Sequence, residues 1–262
     1  MPVTSGARRV PTVEILGPPG SGKSTLIAAL CAAAPRARSL SIYCTRHNLL
    51  LWLWSGWKLL PNLRHQTASS DARPWRQRRR MIRLQASMGI HRREKAREPD
   101  ALIFDQGPVY TVAWLHETKA QSPGTDCEAQ WEKRAVLFWA QALDAVIMLD
   151  APDEVLLNRI RGRSKPHSLR AGSPNEARKG LGKERALQEA ALEKLTKLRS
   201  SLPVIRFDTS KQTSEQIATA TLRALGFRPP DNNNGSGSST GDGALFRPSP
   251  MTTDRAEGGH KT

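Results

Sequence analysis

Residues 17–25 read GPPGSGKST and match the pattern G-x-x-x-x-G-K-[ST]. The apolar run Val13–Leu16 precedes them, and a helical pattern rich in Ala and Leu follows and ends before Pro35. A strand, a glycine-rich turn and a helix in this order form the setting in which this pattern binds phosphate. The sequence therefore predicts a phosphate-binding loop.

The residues of the loop suit a nucleoside triphosphate. Glycines permit backbone conformations that turn successive N–H groups around a phosphate chain, and the helix that follows adds the positive end of its dipole. We expect Lys23 to reach the outer phosphates and the Ser24 hydroxyl to ligate Mg²⁺, so ATP and Mg²⁺ are the predicted cofactors. The nucleotide-binding residues predicted here are Gly17, Pro18, Pro19, Gly20, Ser21, Gly22, Lys23, Ser24 and Thr25.

Short apolar runs alternate with helical patterns along the rest of the chain. After Val13–Leu16, strands are predicted at Leu40–Cys44, Ala101–Phe104, Ala145–Leu149 and Val204–Phe207. Helices are predicted at Leu49–Leu60, Trp75–Glu98, Val109–Lys119, Cys127–Leu143, Pro152–Arg161, Lys183–Arg199 and Ser214–Leu225. Continuous apolar strands separated by helices indicate a parallel sheet covered on both faces. The predicted fold class is a three-layer α/β domain.

Asp105 follows the third predicted strand and is the candidate second acid of the site. Ligands of such sheets lie beyond the carboxyl ends of the strands, so we expect Asp105 beside the loop, where it could hold Mg²⁺ or accept a proton from a hydroxyl. The next residue is Gln106, whereas ATP-hydrolysing motors generally carry a glutamate there. Transfer of a phosphoryl group to a bound acceptor is therefore favoured over hydrolysis.

A basic stretch follows the fourth predicted strand. Nine Lys or Arg stand against two Glu between Arg159 and Arg185. Arginines on a loop can close over phosphates, exclude water and neutralise developing charge. Arg159 and Arg163 have the i, i+4 spacing of one helix face, so we predict both as catalytic residues together with Lys23 and Asp105, and residues 162–178 as a basic lid.

Four motifs together resemble the P-loop nucleoside and nucleotide kinases, most of all their thymidylate kinase-like branch. They are GPPGSGKST at 17–25, FDQG at 104–107, LDAPDEVLLNRIRGR at 149–163 and FDTS at 207–210. The resemblance covers about residues 12 to 227. It implies a five-stranded parallel sheet in the order 2-3-1-4-5, a lid after the fourth strand, an arginine at 159 or 163 against the adenine or the phosphates, and residues 208–210 beside the adenine.

Gln106 departs from that branch, in which an arginine usually follows the aspartate and holds the acceptor phosphate. An amide supplies neither the charge nor the forked donors of arginine. The acceptor is then something other than a nucleoside monophosphate, or its phosphate is held elsewhere. The candidates for that role are Arg46, just after the second strand, and Arg83, on a long helix.

Residues 46–99 form the predicted acceptor-side helical region. They hold 13 Lys or Arg, three acidic residues and four of the seven tryptophans. The preferred interpretation is a core or dimer-interface helix at Leu49–Leu60 followed by a solvated basic face. Indoles stacking on the bases of an oligonucleotide, and an interfacial helix on an anionic membrane, are the alternatives.

Composition limits the remaining choices. The chain has 262 residues, a net charge of +16 and three cysteines without metal or disulfide spacing. The charge favours anionic partners, and the absence of an apolar run of about 20 residues predicts a cytoplasmic protein without a membrane span. We expect a flexible segment at 1–10, one domain at 11–228 and a disordered Gly-, Ser- and Asn-rich tail at 229–262.

The leading hypothesis is an ATP-dependent kinase that acts on a small-molecule acceptor, with a homodimer as a further expectation. A nucleic-acid-associated protein that uses ATP as a switch is the alternative from another class, and a 5′-hydroxyl polynucleotide kinase would combine the two. A degenerate kinase that binds nucleotide without turnover is a third hypothesis, which only Gln106 supports.

Overall fold

A computed structural model describes residues 9–43, 48–63, 73–121, 126–163, 169 and 172–226. The strands are β1 (Thr12–Leu16), β2 (Arg38–Leu40), β3 (Leu102–Asp105), β4 (Ala145–Asp150) and β5 (Val204–Asp208). The helices are α1 (Lys23–Ala33), α2 (Leu49–Leu63), α3 (Arg73–Lys95), α4 (Pro108–Gln121), α5 (Asp126–Ala142), α6 (Asp153–Arg161), α7 (Pro174–Leu198) and α8 (Ser214–Ala224).

The five strands form one parallel sheet in the order β2-β3-β1-β4-β5, which confirms the predicted fold class. β1 lies at the centre, where Glu14 is level with Phe104 on one side and Val146 on the other. The carboxyl ends of β1, β3 and β4 therefore meet at one edge, and the phosphate-binding loop leaves from that edge.

Alternating residues of the strands build a core on each face of the sheet. Val13 and Ile15 belong to the cluster that packs with α1 and α8, whereas Leu16 belongs to the larger cluster. The larger cluster includes Met81 of α3 and the fully buried Trp139 of α5. The domain is therefore three layers, as a parallel sheet buried on both faces requires.

The chain divides into two compact units, Met1–Pro229 and Pro230–Thr262. The second unit, and with it nearly all of the predicted tail, lies outside the described residues. At the other end, Val10 is buried and Arg9 pairs with Asp144, so the ordered domain begins before residue 11.

The predicted second strand was wrong in its position. β2 is Arg38–Leu40, so it shares only Leu40 with the predicted Leu40–Cys44. β2 is an edge strand whose first two residues are exposed, and polar side chains are tolerated there. Ile42, which suggested a strand, is fully buried although it lies just beyond β2.

α7 begins at Pro174, nine residues before the predicted Lys183. Ser173 caps this helix: its hydroxyl accepts the N–H of Glu176, and the Glu176 carboxylate accepts the N–H of Ser173. This reciprocal arrangement and a proline at the first position are strong helix starts. The last residues of the predicted lid, 174–178, are therefore helical, whereas 164–168 and 170–171 lie outside the described residues.

Glu14 is an acidic residue at the centre of the sheet. Its carboxylate is fully buried and accepts N–H groups of Val109 at 2.8 Å and Tyr110 at 3.0 Å, at the start of α4. It thereby satisfies donors that the first turn of a helix leaves without partners. Burial is the dominant influence on its ionisation and raises its pKa to about 8.

Glu14→Gln is expected to remove a contribution that makes the stability of the wild type fall as pH rises from about 7 to 8. The pKa of Glu14 is raised in the folded state and near 4.5 otherwise, so the native protein binds the extra proton in this interval. Relative to Glu14→Gln, the free energy of unfolding of the wild type should then fall with rising pH, by at most about 1.4 kcal/mol per pH unit. Urea unfolding of the wild type and of Glu14→Gln at several pH values measures the difference between the two slopes.

The control for this prediction is Glu193→Gln, which changes an exposed carboxylate on α7. Two other groups act in the opposite direction. His91, whose burial lowers its pKa to about 4, does so only below about pH 6.5. Lys23, whose burial lowers its pKa to about 8, does so towards the upper end of the interval, but it is present in the wild type and in both variants. Equal slopes for the wild type and Glu14→Gln would contradict the prediction.

Candidate active site

The phosphate-binding loop is pressed against the neighbouring strand and helix. Gly17 has φ 142°, and a Cβ there would lie 2.2 Å from the carbonyl oxygen of Leu149 at the end of β4. Gly20 has φ 87°, and a Cβ there would lie 2.8 Å from the carbonyl oxygen of Leu156 in α6. A side chain at either position would push the loop away from this edge of the sheet.

Lys23 occupies the centre of the loop. Its side chain is buried, and Nζ donates to the carbonyl oxygens of Gly17 at 2.6 Å and Pro18 at 2.9 Å. Burial lowers the pKa of Lys23 to about 8, while the carboxylates of Glu184 and Asp105 act in the opposite direction. The ammonium is thus held within the turn that the sequence predicted to surround phosphates.

Two carboxylates lie near Lys23. Asp105 ends β3, next to β1, as predicted, and Glu184 projects from α7 and is 9% exposed. Burial raises the pKa of both carboxyl groups, and Lys23 opposes the shift in each case. The site therefore holds one cation close enough to two partly desolvated acids for their charges to affect its pKa.

The sequence analysis missed Glu184 and its neighbour Gln188. The Gln188 amide donates to a Glu184 oxygen at 3.2 Å and lies 3.4 Å from the Gly17 carbonyl oxygen, so it joins α7 to the loop. Both residues lie on the buried face of α7 with Leu181 and Leu195. The sequence does contain one indication of their role, because Glu184 and Gln188 are polar residues that interrupt the apolar face of this helix.

A cavity of about 550 Å³ opens on the other side of the loop. The Arg159 guanidinium donates to the Gly20 carbonyl at 3.3 Å and to the Thr209 hydroxyl and carbonyl at 2.9 and 2.8 Å. The cavity is lined by Gly20, Gly22, Thr25, Leu26, Leu149, Arg159, Arg163, Thr209, Ser210, Lys211, Gln212, Thr213, Ser214 and Ile217. The structure thus brings the predicted arginines to the loop and to the segment after β5.

The two arginines do not share a helix face, although this was the reason for grouping them. α6 ends at Arg161 with Gly162 as its C-cap, so Arg163 lies beyond the helix. Both nevertheless line the cavity, and Arg163 lies near enough to Lys23 to lower the pKa of its ammonium. Arg185, within the predicted basic stretch, instead binds the Asp150 carboxylate at 2.9 Å and fixes α7 to the end of β4.

Gln106, which with Arg46 and Arg83 is a candidate for binding the acceptor, directly follows β3 and has a positive φ of 51° two residues before α4. The Tyr43 hydroxyl donates to its side-chain oxygen at 3.3 Å, and the Arg83 guanidinium lies 4.3 Å from the centre of the Tyr43 ring. Tyr110 is close enough for the charges of Glu184 and Arg83 to influence its pKa, which burial raises. Arg46 lies outside the described residues.

The residues present fit a magnesium ion that is bound together with a nucleotide. Ser24 is exposed in the first turn of α1. Asp105 is half-buried at the end of β3, the strand next to β1, from which the loop leaves. Hydroxyl and carboxylate oxygens are ligands that Mg²⁺ accepts, and it usually takes only one or two of them from the protein. Within the described ranges no group of three or more His, Cys, Asp or Glu could hold a metal.

Sheet order and loop together define a three-layer α/β domain with the P-loop NTPase fold. No family model matches the chain, and no curated protein does. Among solved structures the chain is similar to deoxyadenosine kinase from M. mycoides with bound dATP. That likeness has 14% identity and a TM-score of 0.47, and it covers 81% of this chain and 98% of the other.

Among the described helices, none has the length and apolar character to cross a bilayer.

Glu184→Gln is expected to shift the alkaline limit of ATP binding to lower pH. The Glu184 carboxylate helps to keep Lys23 charged, so its removal lowers the pKa of Lys23 further below about 8. Affinity at pH 8 should then fall by about threefold to tenfold more than at pH 6.5. Calorimetric titration with MgATP across this range measures the effect.

Glu189→Gln is the matched control, because Glu189 lies on the same helix and pairs with Arg206 on the surface. Its titration curve should follow that of the wild type. Identical pH profiles for Glu184→Gln and the wild type would show that Glu184 does not support the charge of Lys23.

Proposed function

We propose that this protein is an ATP-dependent kinase that transfers a phosphoryl group to a hydroxyl of a small-molecule acceptor. The observation that carries the proposal is Lys23, which donates to the loop carbonyls and is close enough to the carboxylates of Asp105 and Glu184 for both to raise its pKa. The neutral Gln106 next to Asp105 supports transfer to a bound acceptor over activation of water.

The residues have separate roles in the proposed reaction. MgATP supplies the phosphoryl group. Asp105 accepts the proton of the acceptor hydroxyl, whose oxygen forms a bond to the γ-phosphorus while the bond to the bridging β–γ oxygen breaks and ADP leaves. Lys23 and Arg163 offset the negative charge that develops, and Arg159 borders the adenine cavity. Ser24 and Asp105 would hold Mg²⁺, Asp105 through a water molecule, so that its carboxylate remains able to accept the proton.

The acceptor side limits the compounds that fit. Gln106 carries no charge, and its oxygen already accepts a hydrogen bond from Tyr43. This supports an acceptor whose reacting end is a plain hydroxyl, such as a nucleoside or another small polyol. A nucleoside monophosphate, the acceptor typical of the thymidylate kinase-like branch, would instead depend on Arg83, the described cation over Tyr43.

The test is ADP release in the presence of MgATP and paired acceptors. The pairs are nucleosides and their 5′-monophosphates, sugars and sugar phosphates, and 5′-hydroxyl and 5′-phosphoryl oligonucleotides. We expect release that depends on one acceptor class, with kcat/KM lowered about 10³-fold by Lys23→Ala and about 10²-fold by Asp105→Asn. Lys133→Ala, which changes an exposed lysine of α5, is the control and should keep full activity.

Each acceptor result has a defined meaning. Turnover of monophosphates that Arg83→Gln abolishes would assign the acceptor phosphate to Arg83, and turnover of 5′-hydroxyl oligonucleotides would make the protein a polynucleotide kinase. ATP binding without acceptor-dependent ADP release in any pair would contradict the proposal. It would support the use of ATP as a switch, or a degenerate kinase.

A further inference from the structure

α2 turns an apolar surface towards solvent. Four large side chains with the spacing i, i+3, i+4 and i+7 are exposed: Leu50 by 80%, Leu53 by 62%, Trp54 by 52% and Trp57 by 72%. This spacing places them on one side of the helix, which is called here the α2 apolar face. Scattered exposed leucines are ordinary, but a continuous row with two tryptophans marks an interaction surface.

The α2 apolar face does not attach α2 to the domain. That contact is made by the opposite side, where Ser55 and Leu59 are buried. α2 runs antiparallel to α3, because the Leu51 side chain lies against Gly89 and Gly56 lies against Ile82. Among the described residues, the four exposed side chains therefore do not contribute to packing α2 against the domain.

Positive charge borders the α2 apolar face. Lys58 is the only charged residue of α2, and its ammonium lies 3.6 Å from the ring centre of Trp54. α3 carries nine Lys or Arg and one acid, Glu94, which is buried and pairs with arginines at the far end of the helix. The antiparallel register places the exposed Arg76 and Arg79 beside the last turns of α2.

We propose that the α2 apolar face docks on an anionic lipid surface. Leucine and tryptophan side chains enter the boundary between headgroups and acyl chains, and neighbouring basic residues bind anionic headgroups. A core or dimer-interface helix was the preferred interpretation of the sequence, and the exposure of these four side chains leaves the dimer interface. In a symmetric contact the same basic patch of both copies, with Lys58, Arg76 and Arg79, would lie at the interface, and this repulsion disfavours a dimer. A nucleic-acid interface would be polar, whereas the side chains of Leu50 and Leu53 can neither hydrogen-bond to phosphates nor stack on bases.

Docking on lipid would bring the acceptor side of the kinase site close to the surface. Asn48, directly before α2, donates to the Tyr43 carbonyl oxygen at 2.9 Å. Tyr43 in turn contacts Gln106. The inference does not depend on the proposed kinase activity, because it rests on the exposure and charge of α2 and α3 alone.

Co-sedimentation of the full chain with vesicles tests the proposal. Vesicles of phosphatidylcholine alone are compared with vesicles that also contain phosphatidylglycerol, at low and high salt, and tryptophan emission is recorded in parallel. The variant is Trp54→Ser with Trp57→Ser, and the matched control is Leu137→Ser with Leu198→Ser, which alters exposed leucines of α5 and α7. Circular dichroism and thermal unfolding verify that each variant is folded, and Leu50→Glu is a second variant with the same purpose.

We expect binding to phosphatidylglycerol vesicles that weakens as salt is added, with emission shifted to the blue. The partition coefficient should fall about tenfold for each indole removed, since each loses its transfer into the interface. The leucine control should bind like the wild type. The proposal is overturned by equal binding of the wild type and the tryptophan variant, or by no binding at low salt. A stable dimer that only the tryptophan variant dissociates would assign the face to a second copy and overturn it equally.

Discussion

The close approach of the phosphate-binding loop to β4 and α6 is the constraint on which the site depends. Only glycine allows the chain to pass at positions 17 and 20, because the carbonyl oxygens of Leu149 and Leu156 occupy the space of a Cβ. The loop is fixed further by Arg159, which joins Gly20 to Thr209, and by Gln188, which reaches Gly17. With its backbone held in this way, the loop directs Lys23 inward.

Several polar groups around the loop are buried, which lowers the stability of the fold. Their presence is explained by a role in the candidate active site. Lys23, Glu184 and Gln188 lie in a desolvated cluster, and an apolar core would not require any of them. Glu14 extends the cluster across the sheet, since it binds the start of α4 and so fixes the chain directly after Asp105 and Gln106. Buried polar groups that reduce stability are expected at functional sites, where the chemistry of the site outweighs the stability of the core.

Much of this arrangement could be predicted from the sequence, because the decisive contacts are local. The loop motif, the apolar strands and Asp105 at a strand end follow from spacing within short segments. The start of α7 is also encoded locally, in the Ser173–Glu176 capping box, although the helix was predicted to begin only at Lys183. β2 was misplaced because edge strands tolerate polar residues. Glu184 and the contact of Tyr43 with Gln106 depend on the packing of distant elements, which a single sequence does not reveal.

A structure of the protein with Mg²⁺ and a non-hydrolysable ATP analogue tests the central claim most directly. The account predicts the phosphates within residues 17–25, with Lys23 turned from the Gly17 and Pro18 carbonyls to the outer phosphates. The base should lie in the cavity beside Arg159 and Thr209. A nucleotide bound elsewhere, or Lys23 still hydrogen-bonded to the loop carbonyls with the analogue present, would contradict it.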